Sequence, residues 1–254
     1  MKFTSQNKAF FDFVAFAAPL GAWKTGAVSK IFAHRGVHHQ ARENTLEAFK
    51  AARRLGVDGV ELDVRRSADG ALVVHHDEAC EQRLIAKTRA AELPSYVCTL
   101  EEALDTLRGL EINVEIKNLS SEVGYDDTGG FVGAVTRCVE ASDQPEAVLI
   151  SSFDLATCQQ VREASPEIAV GWLLWKLDVL EALDVAHLYG FRALHPHFSA
   201  LGSAEVAQAR DAGVELNVWT LNHRRDLIRF SQWGVAALIT DEPAVALALR
   251  KDSH

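Results

Sequence analysis

The chain has 254 residues but only four cysteines, and Cys80, Cys98, Cys138 and Cys158 are scattered without short paired spacing. That argues against a zinc knuckle or a disulfide framework and fits a reducing compartment, so a cytoplasmic location is expected. There is no Lys/Arg-rich run, and the net charge is -9, so no nucleic-acid partner is expected. The Gly-x-Gly-x-x-Gly fingerprint that would support an open dinucleotide-binding sheet is missing. Also missing is an apolar run of the ~20 residues a membrane-spanning helix needs. The apolar stretch AFFDFVAFAAPLGAW follows Lys2 and Lys8, but Asp12 and Pro19 interrupt it and no clean small-x-small cleavage site follows. Residues 1–30 are therefore read as a helical segment packing over one end of the domain. A helix lying on a membrane surface and an exported leader are the alternatives.

What the sequence does have is a repeated unit. The apolar runs KIFAH, GVELDV, INVEIK, AVLISSF, IAVGWLL, RALHPHF, ELNVWTL and AALITDEP alternate with segments whose apolar residues recur at three and four, the amphipathic helical pattern. Asn44 with Glu47 and Thr99 with Glu102 have capping-box spacing. Gly56, Gly109, Gly190, Gly213 and Gly234 stand where the helices should stop. One further run, ALVVHHD, is joined to GVELDV by a few residues centred on Asp69-Gly70. That is too short for a parallel crossover and suits a hairpin. Eight β/α units in residues 31–254 suit an α/β fold, a closed (β/α)₈ TIM barrel with a β-hairpin arm after the second strand.

In such a barrel the working residues collect at the C-terminal ends of the strands. His34 and Arg35 close the first run. Glu61 and Asp63 share one face of the second, and Glu115 and Lys117 share one face of the third. His76 and Asp77 end the hairpin arm, while Ser151, Ser152, His195, His197, Trp219, Asn222 and Asp241 end later strands. Three inward-facing carboxylates repel one another unless something positive sits among them. Lys117 and Arg65 supply part of that charge, and a hard divalent cation held by Glu61, Asp63 and Glu115 supplies it more simply, since oxygen ligands suit Mg²⁺ or Ca²⁺.

The motifs AHRG and ENTLEAF, DGVELDVRRSADGALVVHHD, NVEIK, ISSF, NVWTLN and GVAALITDEP occur in order between Ile31 and Pro243. Together they resemble the glycerophosphodiester phosphodiesterase family, metal-dependent barrels of the phospholipase C-like phosphodiesterase type. The resemblance implies cleavage of a small-molecule glycerophosphodiester to sn-glycerol 3-phosphate and an alcohol. It implies that His34 and His76 are the acid/base pair, that Glu61, Asp63 and Glu115 hold the metal, and that Arg35 and Lys117 face the phosphate. Glu43 has a supporting place, Asn44 is read mainly as the cap of the first helix, and His195 and Trp219 are candidate pocket-lining residues. It also implies that the glycerol 2-hydroxyl attacks phosphorus, giving a cyclic phosphate that water then opens. His75 competes with His76, but alternation puts the two on opposite faces and only His76 adjoins Asp77. His38 and His39 are expected to face solvent. The segment LSSEVGYDDTGG is short beside the insertion of many members.

Three other readings remain open. A lysophospholipase D-like enzyme would use the same site on a greasier substrate. A non-catalytic phosphate-binding barrel should have lost a histidine or a carboxylate, and this chain keeps all five. An amidohydrolase-type barrel is mimicked by His195-Pro196-His197, but its His-x-His belongs at the end of the first strand, where this chain has His-Arg.

Overall fold

The computed structural model describes residues 28–252, so the expected N-terminal helical segment lies outside the described residues for nearly all its length. The elements run β1 (Lys30–His34), α1 (Leu46–Leu55), β2 (Gly59–Arg66), β3 (Leu72–Val74), β4 (Ala79–Cys80), β5 (Arg83–Leu84), α2 (Leu100–Thr106), β6 (Glu111–Ile116), α3 (Gly130–Glu140) and β7 (Val148–Ser152). They continue with α4 (Leu155–Ala164), β8 (Ala169–Leu174), α5 (Val179–Tyr189), β9 (Ala193–Pro196), α6 (Ser203–Asp211), β10 (Glu215–Val218), α7 (Arg224–Trp233), β11 (Ala237–Thr240) and α8 (Pro243–Asp252).

Eight of these strands form a parallel sheet in the order β1-β11-β10-β9-β8-β7-β6-β2, and β1 also pairs with β2, which closes the barrel. Strand β3 lies outside that ring, antiparallel to β2 with Val64 opposite Val74. This is the expected hairpin arm, turning at Gly70 with φ 84°. The short β4–β5 ribbon beyond it was not expected. The helices lay their apolar faces on the outside of the barrel, as α1 does with Ala48, Phe49 and Ala52. Backbone polar groups of the strands are satisfied by the closed ladder, so only side chains at the strand ends remain to do chemistry.

The expected capping box forms at Thr99, whose side chain accepts from the Glu102 N–H while Glu102 reaches back to the Thr99 N–H. The expected cap at Asn44 does not form. The cap of α1 is Thr45, whose hydroxyl accepts from Ala48 N–H, and Asn44 sits at φ 55° with its amide turned into the barrel mouth. Gly36 is needed for a related reason. It has φ 84°, and a Cβ there would come within 2.9 Å of Ala48 Cβ, so only glycine lets the chain turn sharply behind Arg35.

Candidate active site

Strand register explains why the site forms. His34 pairs in register with Glu61 across β1–β2, and Asp63 with Glu115 across β2–β6. Residues in register on one face are direct neighbours, so the motifs of three separate runs meet at one point. One carboxylate oxygen from each of Glu61, Asp63 and Glu115 lies within 4.8 Å of the others, and all three residues are buried.

Two fixed cations balance part of this charge. Lys117 Nζ is 2.9 Å from Asp63 Oδ1 and 2.5 Å from Glu115 Oε1, and Arg35 Nε is 3.4 Å from Asp63 Oδ2. Burial raises the pKa of Asp63, but Lys117 and Arg35 outweigh it and hold Asp63 well below the usual carboxylate range. At Glu61 the pull of His34 and Arg35 is outweighed. Burial and the charge of Asp63 push it up to about 8. Its Oε2 accepts from the Arg35 backbone N–H at 3.1 Å, while its buried Oε1 has no partner. Burial also raises Glu115 against the pull of Lys117. Three carboxylates with two cations keep a formal excess of negative charge, an all-oxygen donor set and an unsatisfied oxygen. Those residues fit a hard divalent cation.

The two histidines of the expected pair are both held at Nδ1 by an aspartate. His34 Nδ1 lies 2.7 Å from Asp241 Oδ1, and His76 Nδ1 lies 2.8 Å from Asp77 Oδ1. A carboxylate at Nδ1 favours the tautomer that leaves Nε2 free for proton transfer, and His34 Nε2 is 3.8 Å from Glu61 Oε2. Burial opposes charge on His34, but the hydrogen bond to Asp241 and the charge of Glu61 prevail and raise its pKa. On His76 burial prevails over Asp63, and the pKa falls. Imidazoles biased in opposite directions can give and take protons in turn.

Four placements differ from expectation or extend it. Asn44 is more than a loop residue: its Nδ2 donates to Asp63 Oδ2 at 2.7 Å and its Oδ1 accepts from the Asp63 N–H at 3.3 Å. Arg65 does not serve the carboxylates. It turns to Glu122 and donates from Nε and Nη2 to the His76 carbonyl, at 2.9 and 2.6 Å. It therefore braces the loop that carries His76. His38 does not simply face solvent, because its Nε2 lies 3.1 Å from Asp241 Oδ1; His39, by contrast, is exposed and pairs with Glu242. His195 does not open on the mouth. It is fully buried, occupying space that Gly171 leaves free: a Cβ at Gly171 would come within 2.4 Å of His195 Nε2. Asn217 Nδ2 donates to that Nε2 at 2.9 Å.

Glu43 stands at the rim, its Oε1 accepting from Arg35 Nη1 at 2.9 Å. His75 turns to the Asp77 carbonyl instead of the carboxylates. Trp219 lies on the opposite side of the mouth, partly buried beside Phe32, Ala237 and Ile239. Asp241, expected only as one of the polar strand ends, takes a definite role as the partner of His34. It was legible as a polar strand end inside the TDEP motif, but nothing in the sequence tied it to His34, 207 positions away.

The closed (β/α)₈ barrel thus carries paired histidines, a carboxylate cluster and two cations at its mouth. The glycerophosphoryl diester phosphodiesterase family model matches residues 34–245, and the chain belongs to that family. A glycerophosphodiester phosphodiesterase of Caldanaerobacter subterraneus is 30% identical over 240 residues, covering 86% of this chain and 96% of the relative. One from Bacillus altitudinis is 28% identical, covering 89% and 99%. Among solved structures, an Oleispira antarctica phosphodiesterase in complex with the product sn-glycerol-3-phosphate superposes with a TM-score of 0.80 at 25% identity, over 89% of this chain and 97% of that one. Family membership makes this chain a phosphodiesterase acting on glycerophosphodiesters.

Proposed function

We propose that this enzyme hydrolyses glycerophosphodiesters to sn-glycerol 3-phosphate and an alcohol with the help of one divalent cation, Mg²⁺ or Ca²⁺, and with His34 and His76 as its acid/base pair. The observation that carries the reading is the convergence of Glu61, Asp63 and Glu115 within 4.8 Å, beside His34. The product seen in the Oleispira antarctica structure supports the same substrate class.

Glu61, Asp63 and Glu115 would hold the cation, which would supply positive charge against the phosphoryl group and the attacking hydroxyl. Arg35 and Lys117 face the remaining phosphoryl oxygens and stabilise the charge that builds on them in the transition state. Asn44 keeps the Asp63 carboxylate in one orientation. The substrate's 2-hydroxyl attacks phosphorus, one imidazole takes its proton, and the other protonates the leaving alkoxide. Water then opens the cyclic phosphate with the two roles reversed. The four cysteines, scattered without paired spacing, are the ground for placing the enzyme in a reducing location such as the cytoplasm.

The test is hydrolysis of glycerophosphocholine by chelator-treated enzyme, followed by addition of Mg²⁺ or Ca²⁺. Activity should disappear with the chelator and return with the metal. Full activity in metal-free protein would refute the assignment of the carboxylates.

A further inference from the structure

The mouth has two chemically different halves. Charged groups occupy the ends of β1, β2 and β6. The ends of β7 to β10 carry an aromatic cluster instead. Trp175 stacks on Trp219 with centroids 5.7 Å apart and interplanar angle 27°; Phe153 meets Trp219 edge-on at 5.5 Å. His197 packs against both tryptophans, at 4.9 and 5.1 Å. Two of the polar ring atoms are engaged within the protein. Trp219 Nε1 donates to the His195 carbonyl, and His197 Nδ1 pairs with the Ser199 hydroxyl. The cluster thus offers a ligand mainly π surface.

Trp175 is 51% exposed and is followed by exposed Leu177. Exposed apolar surface beside an active site usually marks a binding surface. Lys176, at φ 58°, brings its own ammonium to 5.7 Å from the Trp175 ring centroid, within the range of a cation–π contact. The Trp175 ring thus already lies within reach of a cation, whose place a ligand's ammonium would take. A primary ammonium is strongly hydrated and gains most from a carboxylate, whereas a methylated ammonium is weakly hydrated and suits rings flanked by leucine.

We propose that this aromatic half of the mouth is the subsite for the leaving alcohol, that it favours an alcohol bearing a methylated ammonium, and that Trp175 is the residue that sets the preference. The proposal rests on the phosphodiesterase reading of the charged half. With the phosphate held at Arg35 and Lys117, the ester arm that does not carry the attacking hydroxyl falls toward the rings, which can bind its head group without entering the chemistry.

The experiment measures kcat/KM of the full chain and of Trp175→Ala and Trp175→Phe on glycerophosphocholine, glycerophosphoethanolamine and glycerophosphoglycerol, with a lysophosphatidylcholine in parallel. Trp175→Ala should lower the glycerophosphocholine value about 10-fold more than the glycerophosphoglycerol value, chiefly through KM, as loss of a desolvated cation–π contact implies. Trp175→Phe should fall between. Equal effects on all three diesters, or none, would overturn the proposal while leaving the phosphodiesterase reading intact. A larger loss on lysophosphatidylcholine than on glycerophosphocholine would also overturn it, in favour of an acyl-chain surface. Failure of the unaltered enzyme to turn over any diester would refute the phosphodiesterase reading and this proposal with it.

Discussion

His195 is fully buried, and desolvation pushes its imidazole down from 6.5 to about 3. Replacing it with glutamine should therefore change how stability depends on pH. In the unfolded chain the ring takes up its proton near its ordinary value; in the folded barrel it does so only near the lowered one. Its contribution to stability is thus fully present above the unfolded value, and it is lost progressively as pH falls from there toward the folded value. Each pH unit inside that window is worth about 1.4 kcal/mol, so the full span approaches ~5 kcal/mol. Roughly 2.5 kcal/mol of this is lost between about pH 7 and about pH 4.5. Glutamine keeps an acceptor for Asn217 Nδ2 and never titrates. Urea unfolding of both proteins in chelator, at the two pH values, isolates this one group, because every other titration is shared. His195→Gln should be the less stable protein at neutral pH, having lost a packed ring, yet it should gain about 2.5 kcal/mol on the parent in acid. A parallel fall of the two proteins, within about 0.5 kcal/mol, would mean that the ring titrates near its ordinary value and would refute the buried placement.

Other expectations concern the chemistry directly. His34→Ala and His76→Ala should each lower kcat by about 10²- to 10⁴-fold with little change in Tm, and His75→Ala should do far less. An essential His75 beside a dispensable His76 would reverse that assignment. Asn44→Ala removes both hydrogen bonds to Asp63 and should weaken Mg²⁺ or Ca²⁺ binding about 10- to 100-fold by calorimetry; unchanged affinity would show that Asp63 needs no such clamp. A 2-deoxy glycerophosphodiester should bind but turn over poorly, because a tethered hydroxyl can be worth roughly 7–11 kcal/mol of barrier. The normal substrate should show a transient cyclic phosphate by phosphorus NMR, and comparable turnover of the deoxy analogue would exclude internal attack.

The sequence by itself determined the eight β/α units, the hairpin arm at Asp69-Gly70 and the identity of the carboxylates. Each of these is written in local periodicity: period two along Glu61-Leu62-Asp63 and Glu115-Ile116-Lys117 places each pair on one face, and apolar residues at three and four mark the helices. It also marked His34 and His76 through their motifs. Only the tertiary structure decided which partners those residues have. Asn44 matches a helix cap in local spacing, yet its left-handed backbone passes the cap to Thr45 and frees its amide for Asp63. Arg65 shares the inward face of Asp63 by alternation, but it lies at the barrel rim, where the hairpin arm and the following loop offer it the His76 carbonyl and Glu122 instead. His195 ends a strand like its polar neighbours, and the missing side chain at Gly171, two strand positions and one ladder away, draws it into the core. Asp241 meets His34 only because the last strand closes on the first. Closure pairs residues that no local pattern relates, and hydrogen bonds across it depend on register, which the chain sets only when the whole barrel is folded.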